Sequence, residues 1–60
     1  MNTKVQLLHI AAQLQQLKRE LQECGKSPEL SMSASHSAGV AAGMLMHAAE
    51  RLMKLAGGLP

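Results

Sequence analysis

Residues 7–24, LLHIAAQLQQLKRELQEC, and residues 38–55, AGVAAGMLMHAAERLMKL, decide the fold. In the first, Leu7, Ile10, Leu14, Leu17, Leu21 and Cys24 follow one another at steps of three, four, three, four and three. In the second, Ala38, Ala41, Leu45, Ala48, Leu52 and Leu55 repeat the same steps. Steps of three and four return side chains to one stripe of an α-helix, so each segment reads as an amphipathic helix with a coiled-coil-like seam. The expected fold is all-α: a single helical-hairpin domain over residues 1–60, with helices at about 3–24 and from 28 or 33 to 56 and a turn at about 25–28.

The boundaries follow from local chemistry. Asn2 or Thr3 can cap the first helix, and Gly25 is the usual left-handed stop after Cys24. Ser27-Pro28 offers one start for the second helix, with serine as cap and proline at the first helical position, where its missing N–H costs nothing. The alternating serines 31, 33, 35 and 37 compete for backbone hydrogen bonds and favour a later start, near Ser33. Gly57-Gly58 and Pro60 end the helix.

The two helices differ in the width of their apolar stripe. The first confines its seam to roughly 100°, with Gln6, His9, Gln13, Gln16, Glu20 and Glu23 away from it. The second is apolar over roughly 200°, because Ala42, Met46, Ala49, Met53 and Ala56 flank its seam and Met44 widens the other edge. One neighbour satisfies the first helix, whereas the second needs more than one. The economical arrangement assigns Leu7, Ile10, Leu14, Leu17, Leu21 and Cys24 to the seam within the chain. It assigns Ala38, Ala41, Ala42, Leu45, Met46, Ala49, Leu52, Met53 and Ala56 to an interface between copies, closing a homodimeric four-helix bundle. A second use of the same helix makes Met44, Leu45, Met46 and Met53 a methionine-rich groove for a helix of a different protein. Gly39 and Gly43, four residues apart, mark a candidate close crossing.

Composition supports association. Phe, Tyr and Trp are all absent from the 60 residues, so the side chains that bury the most area contribute nothing to a core that is thin at this length. The net charge of +2 comes from Lys4, Lys18, Arg19, Lys26, Arg51 and Lys54 set against Glu20, Glu23, Glu29 and Glu50, with the signs interspersed. A pI near 9.1 leaves RNA or DNA binding on the outside of a dimeric bundle as an alternative, although no basic cluster exceeds Lys18-Arg19. The longest apolar run, 38–46, falls short of the roughly 20 residues a membrane span needs, and no secretory signal pattern is visible, so a soluble, cytoplasmic protein is expected.

Chemistry is sparse. His9, His36 and His47 all project to polar faces, and no pair at a spacing of four, Cys-x-x-Cys or acidic cluster accompanies them, so no metal or cofactor is expected. Cys24 sits at a helix C-terminus, where the dipole disfavours a thiolate nucleophile. The serines lack a Gly-x-Ser-x-Gly turn or an ordered acid partner. The sequence therefore reads as a small non-enzymatic regulatory or interaction protein, a homodimer that binds a helical segment of a partner protein. The alternative within the same architecture is a helical-hairpin chaperone or assembly subunit stabilised by a hetero-partner.

Overall fold

In a computed structural model, which describes residues 2–60, the chain forms two helices, α1 (Thr3–Cys24) and α2 (Met32–Gly57), packed on one another as a hairpin. Asn2 caps α1, its Oδ1 accepting from the Val5 N–H at 3.3 Å. At the other end Gly25 stays in the right-handed region, φ −64° and ψ −17°, so the left-handed stop expected there is not used. The helix is ended instead by tightening. The Lys26 N–H donates to the Glu23 carbonyl and the Ser27 N–H to the Cys24 carbonyl, both at 3.1 Å, and Pro28 has no N–H with which to continue.

Ser27 then organises one isolated turn, accepting from the Glu29 N–H on Oγ and from the Leu30 N–H on its carbonyl, each at 3.2 Å. Pro28 does not open α2. Ser31 does, its Oγ accepting from the Ala34 N–H at 3.1 Å, so the later of the two expected starts is the one adopted. One cap at Ser31 is enough to commit the serine run to helix, since the remaining serines need only point outward.

The hairpin measures 46 × 15 × 10 Å, a ribbon two helices wide and one helix thick. It has one internal seam and no second layer. The seam is phased differently from the expected one. On α1 and its C-cap the inward column is Leu7, Ala11, Leu14, Lys18, Leu21 and Gly25, with Lys4 and Gln15 also half-buried; on α2 the buried or half-buried positions include Ala38, Ala42, Leu45, Ala49, Leu52 and Ala56. Leu7, Leu14 and Leu21 face inward as expected, but Ile10, Leu17 and Cys24 are exposed, and Ala11, Lys18 and Gly25 take their place. On α2, Ala42, Ala49 and Ala56 are 2%, 0% and 0% exposed within the single hairpin, so they are not available to a second copy.

The physical reason is side-chain size. A column of alanines at a spacing of seven lets one backbone come close to the other, and close approach gains more dispersion contacts per residue than a seam held apart by leucines on both sides. The approach is visible at the bend, where a Cβ built on Gly25 would lie 3.5 Å from the Ala38 Cβ. The half-buried Lys18 fits the column because its aliphatic stem can lie along the seam while its ammonium reaches water.

Candidate interaction surface

Because adjacent helix residues are about 100° apart, Ile10, Leu17 and Cys24 on α1 all project to one side of the inward column, and Ala41, Ala48 and Leu55 on α2 project to the matching side of theirs. A shallow groove lined by Leu17, Glu20, Leu21, Cys24 and Leu45 confirms that these flanks lie on the same broad face of the ribbon. Ile10, Leu17 and Leu55 are 37%, 49% and 54% exposed. Leu45 and Leu52, half-buried in the hairpin seam, present their remaining surface beside Ala41 and Ala48. Glu20, at the rim, is the only charged residue lining that groove.

The opposite broad face carries exposed Leu8, Met46 and Met53 together with polar side chains. Gln15 and Met53 meet across it at 4.0 Å, and a second groove there is lined by Gln22, Gly25, Lys26, Ser35 and Gly39 among others. Met46 and Met53 belong to this side, whereas Met44, two positions from Met46 and so about 200° round the helix, is 68% exposed on the outer edge of α2. The methionines therefore do not form one groove. Gly39 and Gly43 mark no close crossing either, since a Cβ built on each meets nothing within 4 Å. Replacing both by alanine is expected to stabilise the chain by about 0.5–1 kcal/mol per site, because the helix loses its most flexible positions at no steric cost. A thermal melt followed by circular dichroism, showing a midpoint raised by several degrees, checks this.

The polar candidates are scattered. His9, His36, His47 and Cys24 are all exposed, and among the described residues no three of His, Cys, Asp and Glu come together. Of the cations, Lys26 pairs with Glu23 at 3.2 Å with both side chains about three-quarters exposed, and Arg19 donates to the Gln16 Oε1 at 3.2 Å. The expected interface residues thus divide three ways: Ala42, Ala49 and Ala56 inside the hairpin, Met46 and Met53 on one broad face, and Ala38, Ala41, Leu45 and Leu52 toward the seam and the other. Sequence reasoning did not assign Leu55 to an interface, though its place in the three-four spacing carries the signal. No helix among the described residues is long and apolar enough to cross a membrane. Searches against protein-family models, curated proteins and solved structures give no match to this chain.

Proposed function

We propose that the protein is a non-enzymatic helical interaction module, which self-associates through one apolar broad face into a four-helix bundle and in that form captures a helical segment of a regulated partner. The observation that carries this reading is its surface. The hairpin exposes 4598 Å², whereas a compact monomer of 6.4 kDa exposes about 3,800 Å². The excess of about 800 Å² over that scaling is what a one-layer ribbon of 46 × 15 × 10 Å leaves uncovered. Its apolar part includes Ile10, Leu17 and Leu55 on one broad face, 37%, 49% and 54% exposed, and Leu8, Met46 and Met53 on the other, 42%, 39% and 39% exposed.

The reading explains why two helices carry a three-four repeat on more than one flank. A lone hairpin needs one seam per helix, while each helix of a four-helix bundle touches two neighbours. The exposed Cys24, the single cysteine of the chain, is compatible with a reducing compartment, and the proposal takes the cytoplasm as its setting.

Thermal unfolding at several protein concentrations tests the proposal. A self-associating unit melts cooperatively, with a midpoint that rises as concentration rises, each tenfold step adding about 1.4 kcal/mol per mole of dimer. A midpoint independent of concentration means that the face is not closed by a second copy. A non-cooperative, weakly helical chain means that a different protein completes it.

A further inference from the structure

We infer that Lys18 is a specificity-determining residue of this fold: a cation at a seam position, it keeps the broad face that carries Gln15, Gln22, Met46 and Met53 open to water and so limits how many hairpins can pack together. The inference goes beyond the interaction reading above and does not depend on what covers the opposite face.

Lys18 stands where the spacing calls for an apolar side chain. It is the only charged residue in the two facing columns, and the column on α2 offers it nothing but alanine and leucine. Among the described residues the one ion pair joins Lys26 to Glu23, so Lys18 has no carboxylate of its own. The residue is half-buried: its stem occupies the seam, and its ammonium keeps its hydration only by leaving through one of the two flanks.

Position on the helix selects the flank. Lys18 lies about 40° and about 60° round the helix from Gln22 and Gln15, and about 100° in the other direction from Leu17. Gln15 meets Met53, and Gln22 lines the groove shared with Ser35 and Gly39, so the nearer flank is the broad face opposite Ile10, Leu17 and Leu55. A long helical side chain also leans back over the turn before its own, which carries the Lys18 stem toward the half-buried Gln15.

Without Lys18 this face would suit a second hairpin. Leu8, Met46 and Met53 stand on it, 42%, 39% and 39% exposed. The close approach of Gly25 to Ala38 and the contact of Gln15 with Met53 set the antiparallel register and place Lys18 opposite the stretch from Leu45 to Glu50, which holds Met46. A hairpin laid over Met46 therefore covers the exit of the ammonium and strands an unpaired charge among apolar groups, whereas the methionines, already more than half covered, gain little from further burial. Glu50, the one carboxylate of α2, is exposed and makes no ion pair with Lys18. In coiled coils a lysine at a single seam position sets the number of helices at a cost in stability; here it sets the number of layers.

Sedimentation mass and thermal melting of the full chain over a concentration series test this, with Lys18→Met, Lys18→Leu, Lys18→Arg and Arg19→Met beside the unmodified chain. Methionine keeps the reach of the stem without its charge, and Arg19→Met removes the same charge from an exposed neighbour, which controls for net charge. Lys18→Met and Lys18→Leu are expected to melt several degrees higher and to form species larger than a dimer as concentration rises. The unmodified chain, Lys18→Arg and Arg19→Met are expected to form none. A mass profile for Lys18→Met and Lys18→Leu equal to that of the unmodified chain overturns the inference, as do loss of helical circular dichroism in both variants and an unmodified chain that itself grows past a dimer. An unmodified chain that stays monomeric while the two Lys18 variants associate overturns the self-association reading above and leaves this inference standing.

Discussion

Replacing Ala49 by glutamate is expected to abolish the hairpin itself. Ala49 is 0% exposed in the single chain, at the centre of the Ala42–Ala49–Ala56 column that lets the helices approach. A glutamate there must either push the helices apart or place a carboxylate where no partner is present, at a cost of several kcal/mol. A 60-residue chain has roughly 3–9 kcal/mol of stability at about 0.05–0.15 kcal/mol per residue. The penalty is a large share of the whole. Far-ultraviolet circular dichroism should show most of the helical signal lost at 25 °C. A variant that stays fully helical, with only its mass halved, would return Ala49 to an interface between copies.

Replacing Leu17 and Leu55 together by glutamate is expected to do the reverse, separating the copies while sparing each hairpin. These side chains are 49% and 54% exposed before any association, so charging them costs the lone chain little. In the bundle every copy would bury two carboxylates against apolar surface. At about 2 kcal/mol per copy, a low figure for such a group, two copies weaken association on the order of 1,000-fold. Mass should fall to that of the monomer at concentrations where the unmodified chain is fully paired, with helicity reduced only as far as pairing had supported it. The two experiments form a contrast, since Ala49 and Leu17 both belong to three-four seams and differ only in which seam they serve.

That contrast also marks how far the sequence is legible. The helices, their hairpin and the turn region follow from spacing and capping, because heptad periodicity and residues such as Asn2 and Ser31 act locally. The phase of packing does not. Leu7, Leu14 and Leu21 belong to two overlapping stripes, one completed by Ile10, Leu17 and Cys24 and the other by Ala11, Lys18 and Gly25. Ranking by hydrophobicity selects the first; the fold uses the second, since small side chains permit the closer approach.

The same preference moves Ala42, Ala49 and Ala56 from the expected interface into the hairpin. Their spacing of seven, together with Ala11 and Gly25 on the other helix, is a signal present in the sequence that hydropathy alone passes over. Gly25 is a second lesson of the same kind. It ends α1 without a positive φ, and its value lies in being small where the Ala38 Cβ comes near.

The two seams per helix give the molecule its logic. One is consumed in making the hairpin, and the other, with Ile10, Leu17 and Leu55 in the open, is the surface that the proposed self-association would use. Sedimentation equilibrium over a dilution series tests this most directly. It should be followed by interference optics, because the chain has no Trp or Tyr to absorb near 280 nm. A single species of twice 6.4 kDa at high concentration that dissociates reversibly on dilution is the expected result. A helical chain that remains at 6.4 kDa throughout would contradict it.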